Sequence, residues 1–93
     1  MKVKSIMAAC GSGLGSSMLV RMNIEKVLKQ NGHTGISVLH SSLSDVSERA
    51  ADIIVVGKDL EEFVKSYKNV IVLDNIMSVS ELEEKLLKKL NED

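Results

Sequence analysis

Two short runs, Ile53-Ile54-Val55-Val56 and Val70-Ile71-Val72-Leu73, are apolar at every position and almost wholly β-branched. A strand with one wet face alternates apolar and polar residues, whereas a strand covered on both faces does not. Two such runs in a chain of 93 residues therefore demand a sheet with layers on both sides, and parallel sheets meet that demand. The rest of the pattern agrees. Val3 to Ala9, ending at Cys10, reads as a first strand, and Ile36 to His40 as a second. Between them, from Ser16 or Ser17, Val20, Ile24, Val27 and Leu28 keep helical spacing while Arg21, Glu25 and Lys29 share another stripe. Asn31-Gly32 is a helix stop. Ser41 to Ala51 is a crossover with room for a short helix near Asp45 to Ala50, and Leu60, Phe63, Val64 and Tyr67 space a third helix. Ser78-Val79-Ser80-Glu81 matches a capping box ahead of a last helix lined by Leu82, Leu86, Leu87 and Leu90. The alternation predicts an α/β fold: an open four-stranded parallel sheet with helices on both faces, joined by right-handed crossovers.

Length and charge narrow the function classes. A chain this short buries roughly 60–65 % of its unfolded surface, enough for one core and too little for a large internal cavity. Residues 1–93 are thus expected to form a single domain. The net charge is −1, no basic block occurs, and Phe63 and Tyr67 are the only aromatic residues, which argues against a nucleic-acid partner. One cysteine cannot make an internal disulfide and suits a reducing compartment. No signal pattern is visible, and the longest apolar run is far shorter than the ~20 residues that span a bilayer. A cytoplasmic protein without direct membrane insertion is expected.

The remaining information sits in one stretch, Cys10-Gly-Ser-Gly-Leu-Gly-Ser-Ser17. In an open α/β sheet, ligands bind beyond the carboxyl ends of the strands where the strand order reverses, and Cys10 ends the first strand. A loop that runs into a helix N-terminus offers free backbone N–H groups and the positive end of the helix dipole, which together hold an anion. Gly11, Gly13 and Gly15 allow a tight, close approach, Ser12, Ser16 and Ser17 can add hydroxyls or cap the helix, and Leu14 contributes its N–H. The same field stabilises a thiolate, so Cys10 is expected below the ~8.5 of free cysteine. A thiolate beside a phosphate-sized nest points to a sulfur that takes a phosphoryl group. No metal site and no cofactor is expected. A nucleotide P-loop is excluded by the lack of lysine between Lys4 and Lys26, and a dinucleotide fingerprint by the G-x-G-x-G spacing. A low-molecular-weight cysteine phosphatase would carry arginine six residues after the cysteine, where this chain has Ser16; the nearest arginine is Arg21.

With that loop on a chain of this length, the sequence resembles the IIB components of the bacterial phosphoenolpyruvate-dependent sugar phosphotransferase system (PTS). The spelling Cys-Gly-x-Gly-x-Gly-Ser-Ser is most similar to the ascorbate type, relatives of the galactitol and lactose/chitobiose types. The resemblance implies a phosphocysteine carrier. Cys10 would accept the group from a phosphohistidine of a IIA protein and pass it to a sugar bound by a membrane IIC partner. Its two rivals are a stand-alone cysteine phosphatase and a non-catalytic regulatory module of the same fold. Outside the loop, His40 and Asp74 fall at strand ends on the side of Cys10, where they could assist; a surface histidine and a turn residue are the plainer readings. His33 is expected to be merely exposed. Met7, Met18, Met22 and Met77 could form an adaptable apolar rim for partners.

Overall fold

The computed structural model describes residues 3–10, 14–42, 46–47 and 49–91. β1 (Ser5–Cys10) leads to α1 (Leu14–Gln30), and β2 (Ser37–Ser42) to β3 (Ile53–Gly57). A 3-10 segment (Lys58–Val64), β4 (Val70–Leu73) and α2 (Val79–Leu90) follow. The four strands form one parallel sheet in the order β2-β1-β3-β4. β1 therefore lies inside the sheet, with Ser5 to Cys10 opposite Ser37 to Ser42 on one side and Ile6 to Ala9 opposite Ile53 to Val56 on the other. The strand order reverses at β1, between β2 and β3.

Burial on both faces explains the apolar run of β3; in β4, at the sheet's edge, Ile71 and Leu73 are buried and Val70 and Val72 half-buried. Every residue of β3 is buried. Ile53 and Val55, with Ile6, Ala8, Val38, Ile71 and Leu73, pack under α1 and α2 through Val20, Ile24, Val27, Leu82 and Leu86. Ile54 and Val56, with Met7 and Ala9, pack on the other face against Ala51, Leu60 and Val64. The expected layers are present on both faces, but they are unequal. Two α-helices cover one face, and the third expected helix is the seven-residue 3-10 segment. Leu60 and Val64 are buried there, whereas Phe63, placed by spacing on the inner side, is 63 % exposed.

Other boundaries differ from expectation, and β1 starts at Ser5 rather than Val3. α1 starts at Leu14 rather than Ser16 or Ser17, because packing of the following turns overrides the poor helix propensity of glycine. β2 is shifted by one residue at its start and extends to Ser42. Residues 46–47 and 49–50, the described part of the stretch given room for a short helix, are not helical. The predicted stop of α1 is present as a Schellman motif: Gly32 adopts φ +73°, its N–H donates to Lys29 O and that of His33 to Leu28 O. At the amino end of the sheet, one carboxylate oxygen of Asp52 accepts from the N–H of Lys4 (2.7 Å) and Ser5 (3.1 Å), which ties the start of β1 to the residue before β3.

Candidate functional site

Cys10 is the last residue of β1, and α1 begins four positions later. Parallel pairing and the β1-α1-β2 crossover bring the amino end of α1 to the carboxyl ends of the strands. In any α-helix the first four N–H groups lack an intrahelical acceptor. Here those include Leu14, Gly15 and Ser16, in the second half of the predicted anion loop. Four of the eight predicted site residues thus form the first turn of α1, and Cys10 ends the strand that precedes it. Gly11, Ser12 and Gly13 lie outside the described residues. Ser17 is fully buried, and no buried side-chain oxygen or nitrogen among the described residues lacks a partner.

Cys10 pairs with Ser42 at the end of β2, and Ala9 with Val56, one residue before the end of β3. The site is therefore framed by the carboxyl ends of three strands at the reversal of strand order, the position such sheets use for ligands. A polar cleft of about 490 Å³ lined by Ser5, Arg49, Asp52 and Lys68 lies at the opposite, amino end of the sheet. It has no relation to Cys10, and the topology argues for the carboxyl end. Among the described residues no cluster of histidine, cysteine and carboxylate side chains could hold a metal ion. No helix of the described chain is long and apolar enough to cross a membrane.

Two arrangements near the site were not legible beforehand. Arg21, two turns into α1, donates from Nη1 to His40 Nδ1 on β2 at 3.0 Å, and its Nε lies 3.8 Å from Glu25 Oε1. His40 is thus engaged in holding α1 against the edge strand. The nearest arginine to the loop is committed to a histidine and a carboxylate rather than left to grip a phosphate. No local motif marks this pair, which joins residues 19 apart in sequence.

The second arrangement fixes the loop after β4. Ser78 caps α2 by accepting from the Glu81 N–H at 3.2 Å, as the capping box predicts. The Glu81 carboxylate does not return the bond to Ser78. It accepts from the N–H groups of Asp74 (2.7 Å) and Asn75 (3.0 Å) instead, and Lys85 Nζ donates to it at 2.7 Å. Lys85 and these two backbone donors hold the Glu81 carboxyl down to about pKa 2, and the same ion pair raises Lys85. Lys85 also donates to Val72 O at 2.8 Å, on the outer edge of β4. Asp74, the strand-end carboxylate singled out in the sequence, is an exposed residue whose backbone is gripped by Glu81. His33 is half-buried rather than exposed, and its N–H closes the end of α1. Met18, Met22 and Met77 are more than half exposed, whereas Met7 is buried.

Known proteins are similar to this chain across nearly its whole length. The family described as "PTS system, Lactose/Cellobiose specific IIB subunit" matches residues 5–88. The "Ascorbate-specific PTS system EIIB component" of Mycoplasma pneumoniae is 38 % identical over 88 residues, which cover 91 % of this chain and 93 % of that protein. Proteins of the same description from Shigella dysenteriae and Escherichia coli O157:H7 are 34 % and 33 % identical, each over 94 % of this chain and 89 % of the relative.

Proposed function

Given that the chain belongs to the IIB family of the sugar phosphotransferase system, we propose that Cys10 is its phosphoryl-carrying residue and that ascorbate, or a closely related acidic sugar, is the final acceptor. The observation that carries this reading is the placement of Cys10: the carboxyl end of the inner strand, at the reversal of strand order, directly ahead of the first turn of α1.

The chemistry proceeds in two displacements. In the first, the Cys10 thiolate attacks phosphorus on a phosphohistidine of the IIA donor. An S–P bond forms, the N–P bond breaks, and the electron pair returns to the imidazole nitrogen, which takes up a proton. In the second, a hydroxyl oxygen of the sugar, held by the membrane IIC permease, attacks the same phosphorus. The S–P bond breaks, the hydroxyl proton passes to a base on the permease or to water, and the thiolate is restored. The N–H groups from Gly11 to Ser17 hold the phosphoryl oxygens between the two steps, and the dipole of α1 offsets the added charge of about −1.5 to −2. The protein is thereby a phosphotransferase component that works at the cytoplasmic side of the membrane.

A stand-alone phosphatase would need an arginine fork on the phosphate. Ser16 stands in that place, and Arg21 is bound to His40 and Glu25. A carrier benefits from this arrangement, because it must keep the group until the acceptor docks. Specificity for ascorbate rests on the loop spelling and on the named relatives. Membrane vesicles containing the cognate permease, supplied with the labelled phosphoprotein, should form sugar phosphate from ascorbate and not from galactitol or a disaccharide. The opposite preference would remove the assignment of the sugar and leave that of the carrier.

A further inference from the structure

Gly57, the last residue of β3, is not demanded by its backbone. Its φ of −79° and ψ of 163° are extended values that any residue adopts. What the position demands is room. A Cβ there would lie 2.8 Å from Asp59 Oδ1 and 3.0 Å from Ile76 Cγ2, so the Asp59 carboxylate folds back over the end of β3 into space a side chain would fill. That space is on the α1 side of the sheet. Gly57 has the parity of Ile53 and Val55, and Ile76 packs against the same core as α1 and α2. The neighbouring strand ends at the same level. The register that pairs Ala9 with Val56 brings Cys10 beside Gly57, and position 10 has the parity of Ile6 and Ala8, which face α1. With ~4.8 Å between neighbouring strands, the Asp59 carboxylate lies within about 9 Å of the Cys10 Cα.

We propose that Asp59, acting through space on Cys10, sets how readily the phosphocysteine gives up its group; the proposal rests on the carrier reading above. No residue between Cys10 and Arg21 has a charged side chain. Arg21 is bound to His40 and Glu25, and Glu81 to Lys85 and the backbone of Asp74 and Asn75. Asp74 follows β4, one strand further from Cys10, and Lys58 is exposed beside Asp59. A carboxylate near position 10 opposes negative charge there in proportion to that charge. It leaves the protonated thiol alone, disfavours the thiolate, and disfavours a phosphoryl group of about −1.5 to −2 still more. Backbone donors that only stabilise the loaded state deepen the well from which the group must leave. Asp59 offsets part of that stabilisation, so the group is held and still passed on. Gly57 is the residue that lets the carboxylate lie close enough to do so.

Two readouts on the full chain test this. Alkylation of Cys10 against pH should give an apparent pKa about 0.3–0.7 unit lower in Asp59→Asn than in the unmodified chain, for a charge at ~9 Å in a solvent-like medium. The equilibrium partition of label between the phosphorylated donor and Cys10 should move about three- to tenfold toward Cys10 in the same variant. Asp59→Glu keeps the charge, and its partition should stay within about twofold of the unmodified chain. Gly57→Ala also keeps the charge but fills the space beside Asp59 Oδ1, so it should move both readouts in the direction of Asp59→Asn. All these differences should shrink at about 1 M salt, where the Debye length is about 3 Å, whereas an effect of altered folding would not. An unchanged pKa in Asp59→Asn, an equal change in Asp59→Glu, or a change that persists at high salt overturns the proposal. Failure of the alkylation arm alone leaves the carrier reading intact. If the unmodified chain takes no phosphoryl group from the donor, the carrier reading fails first and this one with it.

Discussion

Glu81 joins the last helix to the rim of the site, and its removal has a calculable cost. Its carboxylate accepts from two backbone N–H groups and from Lys85, and its pKa falls from the ordinary 4.5 to about 2. At about 1.36 kcal/mol per unit, the full shift would correspond to ~3 kcal/mol of stability. The carboxylate sits at the surface with 18 % of its side chain exposed, and screening reduces this to about 1–2 kcal/mol. The sign follows from a depressed folded-state pKa. The contribution is complete above the unfolded value near 4.5 and is lost as pH falls from there toward 2. Glu81→Gln keeps the shape and removes the charge. At pH 7 it should lower the melting temperature by roughly 4–16 °C, taking about 4–8 °C per kcal/mol for a domain of this size. Denaturation of both proteins across pH 7 to 2 should show the gap closing between pH 4.5 and 2. A gap that is absent at pH 7, or equally wide at pH 7 and pH 2, would refute the electrostatic account of this loop.

Other expectations concern the phosphate loop. Alkylation of Cys10 as a function of pH should show an apparent pKa below the ~8.5 of free cysteine, because the thiol precedes a helix N-terminus; an ordinary or raised value removes the thiolate argument. Amide resonances of Gly11 to Ser17 should move most when the protein is phosphorylated, with smaller changes at His40, Gly57 and Asp74. Changes centred on α2 would contradict the site. Purified alone, the protein should not sustain turnover of an aryl phosphate, since one arginine at a phosphoryl-transfer transition state can be worth on the order of 10³–10⁵ in rate and none is available here. Turnover that vanishes in Cys10→Ser would favour the phosphatase.

The class of the fold is legible in the sequence because burial on both faces leaves no other pattern open to Ile53–Val56, while Val70–Leu73 keeps the same pattern at the sheet's edge with Val70 and Val72 half-buried. Strand order is less so. It depends on which way each crossover turns, and periodicity within a segment carries no information about that. The position of the candidate loop is legible for a related reason: Cys10 ends a strand, a helix follows, and the topology puts that junction at the carboxyl ends. Its extent was harder to read, since glycine at 15 looks like loop by propensity while packing of α1 makes Leu14 the first helical residue. Phe63 shows the limit of spacing. Its separation from Leu60 and Val64 suits an inward helix face, yet the chain forms a short 3-10 segment that buries only the other two. The Arg21–His40 bond and the reach of Glu81 to Asp74 and Asn75 arise where elements pack together, and neither leaves a local signature.

The central claim is covalent: a phosphoryl group resides on the sulfur of Cys10 during turnover. Intact mass of the protein, measured after incubation with the phosphorylated donor of its relay and before any permease is added, tests it directly. A gain of about 80 Da should appear, confined by fragmentation to Cys10 and missing from Cys10→Ala, and it should disappear when permease and sugar are supplied. No gain, or a gain that survives in Cys10→Ala, would contradict it.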